Sequence, residues 1–286
     1  MAFTKKKIEI HIILANGVFA NGSNTKVVKN LPCKVQVQCC QLPMKDQASV
    51  SIYGLKKEDL DALTWLVWSP LSVDRNQIAI YASDEGDIAP PLVFAGEIQS
   101  SVPEYNTAPD IALNITAISG YYSGMIAMSP YSFKGSIPIA SILEELAKKI
   151  DYTFINNGNT QEVKDPYLKG SPIQQVIELA KNTGANINIK NNQIILNSST
   201  GNNLFKTVIS PQNGMIEYPT PTPQGFRVRT EFLSTVSIGD VIQIENSIIS
   251  KANGNWSVAG ITHSLGCKMD NAPWFTELDL GIVQGI

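Results

Sequence analysis

The segment from Ser49 to Trp65 reads SVSIYGLKKEDLDALTW, a short alternating strand joined to a helix start through one glycine. Val50 and Ile52 fall on one face and Ser49, Ser51 and Tyr53 on the other, the two-residue period of a half-buried strand. Gly54 permits the sharp turn that follows. Glu58 and Asp59 stand where a helix N-terminus favours negative charge, and Leu60, Leu63 and Val67 come at helical spacing, which predicts a short helix near 56–67. Nothing in the segment is arranged as a nucleophile, a metal ligand or a phosphate cradle.

Around this join, the chain from Lys7 to about Ser129 reads as strands. Ile8, Ile10, Ile12 and Leu14 alternate with Glu9, His11 and Ile13; Val35, Val37 and Cys39 alternate with Gln36, Gln38 and Cys40. Ile78 and Ile80, Leu92 to Phe94, and Ile111, Leu113, Ile115 and Ala117 continue the pattern, with loops expected at Asp84 to Pro91 and Pro103 to Pro109. Short strands separated by turn signals imply a barrel or sandwich. Lys5, Lys6 and Lys7 read as a solvated tail that protects the edge of the strand they precede.

The texture changes at Gly135. Ile139, Ile142, Leu143, Leu146, Ala147 and Ile150 share one helix face, while Glu144 with Lys148 and Glu145 with Lys149 set opposite charges four residues apart. Ser136 is the expected cap and Pro138 suits the first turn. The idea repeats: Lys169-Gly170-Ser171-Pro172 opens a second helix bearing Ile173, Val176, Ile177 and Ala180, and Gly184 closes it. Strand-like runs follow at Tyr152 to Ile155, Asn186 to Ile189 and Gln193 to Leu196, so this stretch is a small α+β module of βαβ type. Similar short units occur in secretin and TonB-receptor N-terminal domains, a reading that would require a signal peptide before the module and a membrane barrel after it.

Beyond a polar connector from Asn197 to Asn203, Pro219, Pro221 and Pro223 predict a stiff extended lead-in. Phe226, Val228 and Thr230 then alternate with Arg227, Arg229 and Glu231, Gly239-Asp240 precedes Val241, Ile242 and Ile244, and Asn253-Gly254 predicts a tight turn before Trp256, Val258 and Ile261. A last alternating run spans Phe275 to Leu280.

Three stretches in this order carry a resemblance: the IYGL strand-to-helix join, GDVIQI followed by NGNWSVAGITHSL, and WFTELDL. Together they resemble bacteriophage baseplate hub proteins at both ends of the chain, and the module has counterparts in such hubs. The resemblance implies a mainly β protein in which two β-barrel-like tube domains, 1–130 and 201–286, flank an α+β module at 131–200. It further implies a homotrimeric ring that adapts a sixfold tail tube to a threefold spike, with the tube protein, the central spike and the tape-measure protein as partners and DNA passing through the lumen during ejection. The expected location is the virion baseplate after assembly in the host cytoplasm. Alternatives are a spike hub of a contractile secretion system, a periplasmic or secreted binding module with a secretin-like domain, and, third, a hydrolase.

Composition fits an assembly component. Of the 286 residues only 16% are charged, against about 25% in ordinary globular domains, so fewer charges need desolvating when interfaces form; an extracellular β protein is the other class this suits. A net charge of −3 argues against a phosphate-neutralising surface. No run approaches membrane-spanning length, and Glu9 and His11 interrupt the N-terminal apolar stretch where a signal peptide would need continuity. Cys33, Cys39, Cys40 and Cys267 lack zinc spacing and read as reduced, buried thiols.

Candidate chemistry is sparse. His11 and His263 are the two histidines; Thr262 and Ser264 flank His263 but point to the opposite strand face, so His263 is expected to be structural. Glu144 and Glu145 diverge on a helix surface. Asp84, Glu85 and Asp87 could ligate calcium, but their spacing does not match an EF-hand loop and a solvated turn is preferred. The expectation is therefore no catalytic, cofactor or metal site.

Overall fold

The structure is a computed structural model and describes residues 6–64, 75–84, 89–198 and 207–283. Lys5, Trp65, Val67, Glu85, Gly86, Asp87 and the boundary expected near 200 lie outside them. The first β region comprises β1 (Lys6–Ile13), β2 (Thr25–Lys29), β3 (Cys33–Cys40), β4 (Gln47–Tyr53), helix α1 (Lys57–Leu63), β5 (Gln77–Asp84), β6 (Leu92–Glu104) and β7 (Ala112–Ile118). The module holds β8 (Tyr131–Ser132), β9 (Ser136–Pro138), α2 (Ile139–Lys149), β10 (Thr153–Asn157), β11 (Glu162–Lys164), β12 (Tyr167–Leu168), α3 (Pro172–Thr183), β13 (Ile187–Lys190) and β14 (Gln193–Asn197). The second β region contains β15 (Thr207–Ile209), β16 (Met215–Thr222), β17 (Gly225–Glu231), β18 (Val241–Ile244), β19 (Gly254–Cys267) and β20 (Trp274–Gly281).

Both β regions belong to one 13-stranded sheet whose main path runs β16-β17-β20-β19-β3-β4-β7-β6-β5-β1-β2, with β18 beside β19 and β15 beside β18. Alternation sets its two faces. Val35, Val37, Val50, Ile52, Leu113, Ile115, Val228, Ile261 and Leu278 all turn inward into a single apolar cluster that spans both regions. Gly54 adopts φ 76°, a left-handed turn open to glycine, and delivers α1 so that Leu60 and Leu63 cap that cluster.

A second cluster is built on the module's Ile139, Ile142, Leu143, Leu146, Ile173, Val176, Leu179, Ile194 and Leu196, with Leu42 of the first β region packed against it. Strand β10 runs parallel to β14, and β13 returns antiparallel beside β14; α2 and α3 cover this small sheet. The two Lys-Gly-Ser openings diverge. Ser171 accepts from the Gln174 amide while the Gln174 side chain accepts from the Ser171 amide, a reciprocal cap with Pro172 in the first turn, and Gly184 closes α3 at φ 67°. Ser136, expected as a cap, instead sits in β9, where its hydroxyl donates to Glu162, and Pro138 occupies the N-cap of α2. Strand pairing with β11 takes the serine out of capping geometry.

Further expectations are corrected. Lys6 and Lys7 are part of β1 and not a tail before it; β2 pairs with β1 only from Glu9 onward, so at the two lysines the strand pairs with β5 alone. Pro103 belongs to β6, not to the following loop. Pro219 and Pro221 lie in β16, a terminal strand of the sheet among the described residues, and Pro219 also falls in a register shift between Glu217 and Thr220, positions where a missing N–H need cost no ladder bond. Asn253 also makes no two-residue hairpin turn, because nine residues separate β18 from β19; its side chain instead bonds the Ser247 backbone at N–H and C=O.

Candidate functional site: a polar sheet face and its edges

The two β regions are built alike. Following hydrogen-bonded neighbours, β1-β5-β6-β7-β4-β3 in the first corresponds to β15-β18-β19-β20-β17-β16 in the second. Rows of facing residues match too. Gln38–Gln47–Ile118–Glu97 corresponds to Thr222–Gly225–Gly281–Ser257, and Val37–Ala48–Ala117–Ile98 to Pro221–Phe226–Leu280–Val258. In each region the long strand then bulges at the same point, between Ile98 and Ser100 in β6 and between Val258 and Gly260 in β19. The one difference in sense is that β1 meets β5 antiparallel whereas β15 meets β18 parallel.

The regions join where β3 pairs with β19 over eight residues, from Gly260 opposite Cys40 to Cys267 opposite Cys33. This seam continues the sheet through eight strands, from β16 to β6, whose outward face is polar. Arg227 Nε donates to Asp279 at 2.7 Å, and Arg229 bridges Glu277, at 2.9 Å, and Glu217. Arg229 also lies over the Phe275 ring. Farther along, Gln47 donates to Gln38 and Ser51 to Asn114. Cross-strand carboxylates thus hold both arginines of this face, while Lys34 stands exposed on the same face in β3; a paired arginine retains a polyanion less than a free one. Such exposed pairs stabilise the sheet by no more than about 1 kcal/mol each.

The seam is dry. Cys33 and Cys267 are buried free thiols with Sγ atoms 3.4 Å apart. His263, opposite Val37, is buried, and its Nδ1 lies 2.9 Å from the Thr276 hydroxyl. Thr276 in turn accepts from the Leu233 amide, and burial pulls the imidazole down to about 4, so it is neutral near pH 7. Thr276, a row neighbour on β20, is a partner that reading along the strand could not find; Thr262 and Ser264 do not reach the ring. At the end of the seam Asp46 accepts from the Cys40 amide, and its carboxyl is pushed up to about 6 by burial.

The module sits on the first halves of β6 and on the loop before β18. Buried Glu97 accepts from the Tyr121 amide at 2.9 Å and the Tyr152 hydroxyl at 3.2 Å, and burial together with the Glu97 charge raises the tyrosine. Arg75 donates to the Ile150 carbonyl and faces Glu97 at 3.6 Å. Asn191 accepts from the Ala95 amide, and Lys190 reaches Ser237. A cavity of about 620 Å³ remains between module and sheet, with Asp46, Lys190, Asp240 and Asn188 in its wall. Burial raises the Cys39 thiol in the same wall, which keeps it protonated and a poor nucleophile.

The other candidates do not converge. His11 sits 3.7 Å from Glu9 and against the Tyr81 ring. Glu144 and Glu145 pair at 2.7 Å with Lys148 and Lys149 on the exposed side of α2. Of the acidic loop only Asp84 is described, at the end of β5. Among the described residues no cluster of three His, Cys, Asp or Glu could hold a metal ion, and no helix is long and apolar enough to cross a membrane.

This duplicated sheet with an α+β module is the fold of phage tail proteins. The prophage MuSo2 43 kDa tail protein of Shewanella oneidensis superposes with a TM-score of 0.61 at 12% identity, over 95% of this chain and 96% of that one. The tail protein of Neisseria meningitidis MC58 gives 0.62 at 10% identity over 96% of each chain. The Escherichia coli c3393 protein, a component of the type VI secretion system, gives 0.55 at 10% identity over 88% of this chain and 74% of that one. Among curated proteins, none matches the sequence. The sequence matches the baseplate hub gp41 family across residues 12–277, and the chain belongs to that family, structural proteins of the bacteriophage tail baseplate.

Proposed function

We propose that three copies of this chain form a ring that adapts a sixfold tail tube to a threefold spike and lets DNA pass, without catalysing a reaction. The observation that carries this reading is the duplicated strand order: a trimer of chains with two equivalent β units offers six similar docking surfaces to a tube on one side. In this reading the chain divides into a β domain at 1–130, a module at 131–200 and a β domain at 201–286. The polar face with its carboxylate-paired arginines lines the lumen, where a mildly acidic wall does not hold DNA back. The partners are the tube protein, the central spike and the tape-measure protein, and assembly takes place in the host bacterial cytoplasm before the hub enters the virion.

Negative-stain images of the purified protein, alone and mixed with a central spike protein from the same phage, test the reading. Rings with a central hole and threefold symmetry are expected; solid, ring-free particles in both samples overturn it. A spike hub of a contractile secretion system is the second reading, favoured by the similarity to the c3393 protein.

A further inference from the structure

Cys33 opens β3 and Cys267 closes β19, and the two are direct partners at the last position of the antiparallel ladder that joins the β regions. Among the described residues this ladder is the one strand pairing between those regions. Directly opposed residues of antiparallel strands hold their Cα atoms about 4.5–5.5 Å apart, inside the span that a disulfide bridges. The two sulfurs already face each other at 3.4 Å. Closing them to a bond of about 2.05 Å needs the side chains to turn and leaves the strands in register.

We propose that Cys33 and Cys267 form an oxidation site, at which hydrogen peroxide closes the pair into a disulfide that staples the first β region to the second at the end of their seam. The bond does not depend on the ring assembly proposed above. In a reducing compartment the pair stays as the two thiols seen in the structure, and in oxidising surroundings it closes.

Cys267 is the attacking sulfur. The hydrogen bond from Cys33 lowers its thiol against the opposing effect of burial, and the Ile8 amide and the Lys268 charge also favour the thiolate. The same hydrogen bond, together with burial, raises Cys33 and keeps it protonated. The Cys267 thiolate attacks one peroxide oxygen; the O–O bond breaks, and the hydroxide that leaves takes up the proton Cys267 had released, which gives a sulfenic acid and one water. The Cys33 sulfur then attacks the Cys267 sulfur, so that the S–S bond forms, the S–O bond breaks, and the Cys33 proton departs with the hydroxide as a second water. Two thiols are oxidised and one peroxide is reduced.

The surroundings permit the step. Cys33 is 2% and Cys267 4% exposed, but Lys268, the next residue, is exposed and the pair is the last rung of its ladder, where a strand opens more readily than in its middle. Closure gives up the Cys267 S–H donation to the Leu31 carbonyl at 3.4 Å, weak as thiol donors are. Cys39 and Cys40 make no such pair: their side chains leave the strand on opposite faces, and across the seam they meet Ile261 and Gly260. Because the partners stand 234 positions apart, the bond closes a long loop and constrains the unfolded chain far more than the folded one.

The test uses the full-length protein, reduced, treated with a small excess of hydrogen peroxide, then unfolded, alkylated with iodoacetamide and digested with trypsin. Peptides 30–34 and 252–268, which carry Cys33 and Cys267, are expected as one linked species, while peptide 35–45 keeps both its thiols alkylated. On a non-reducing gel the oxidised, unfolded chain should run ahead of the reduced one, its urea midpoint should be higher, and Cys33→Ala should abolish both shifts. The peptide readout is taken on the unsubstituted chain and stands even where Cys33→Ala folds poorly. Separate alkylated peptides 30–34 and 252–268, a sulfinic acid at Cys267 with Cys33 still alkylated, or a linkage through peptide 35–45 overturns the site. A linked pair with no rise in the urea midpoint overturns its role as a staple.

Discussion

Strands β3 and β16 hold the same place in two copies of one architecture, yet they have opposite fates. β3 is laid against β19 along eight residues, with Cys33, Val35, Val37 and Cys39 buried. β16 carries prolines, two register shifts, and the half-exposed Ile216 and Tyr218. One edge is spent inside the chain; the other has no strand beside it among the described residues, and its prolines make it a poor template for casual partners. Topology alone does not decide which edge a protein shares, and residue choice on equivalent strands does.

The largest expected effect comes from breaking the seam within the chain. Val37 is fully buried opposite His263, and Val37→Asp places an unpaired charge in the dry interior, costing about 4 kcal/mol or more. Loss of cooperative urea unfolding, or a collapse of its midpoint, is the expected result. A midpoint unchanged from wild type would mean that the seam is open to water and that the comparison with β16 is unfounded.

Leu146→Asp makes the matching insult to the second core. Leu146 is fully buried in the module cluster, apart from the cluster that spans the sheet. The expected cost is about 3–5 kcal/mol, felt first as loss of helical circular dichroism from α2 and α3, with the near-ultraviolet signal of Trp256 and Trp274 in the second β region retained. Simultaneous loss of both signals at the same urea concentration would show that the module and the sheet unfold as one unit.

The seam also sets two opposed pH dependences. Burial raises Asp46 from 3.8 to about 6, so the folded state binds its proton more readily than the unfolded chain, and stability is gained as pH falls from about 6 towards 3.8. Burial lowers His263 from 6.5 to about 4, so the unfolded chain binds that proton first, and stability is lost as pH falls from 6.5 towards 4. Each corresponds to about 3 kcal/mol at full extent, and over the shared window they offset. Urea midpoints measured at pH 7 and 4.5 should therefore show Asp46→Asn losing ground to wild type on acidification and His263→Gln gaining on it. Parallel behaviour of the two variants would contradict the burial of one of these groups.

What the sequence disclosed and what it hid divide along a physical line. Patterns that repeat within a few residues were legible: the alternation of β1, β3, β7 and β17, the buried stripe of α2, the glycine turn before α1 and the close of α3 at Gly184. Contacts between distant segments were not. The seam brings together Cys33 and Cys267, 234 residues apart, and no local period announces a partner that far away. The identical Lys-Gly-Ser openings of the module show the same limit, since pairing of β9 with β11 takes Ser136 while Ser171 is left to cap. Likewise the partner of His263 lies on the adjacent strand at Thr276, and the prolines that read as an extended lead-in acquire their meaning only once β16 is seen at the end of the sheet.

The smallest expected effect on folding is the most informative about the comparison. Tyr218 shares with the buried Pro219 the place opposite Val228 and is itself about half exposed, so Tyr218→Asp leaves the new carboxylate in water and should move the urea midpoint of the monomer by no more than about 0.5 kcal/mol. If a second copy in the proposed ring covers this edge, the new charge is desolvated there without a partner. Light scattering across a concentration series should then find the variant monomeric under conditions where wild type associates. The contrast with Val37→Asp is the point: equivalent strands, the same introduced residue, one loss of fold and one loss of assembly. If Tyr218→Asp unfolded the chain as Val37→Asp does, β16 would be part of the monomer's own core and the open edge would not exist; if it left both folding and association untouched, the partner surface would lie elsewhere on the ring.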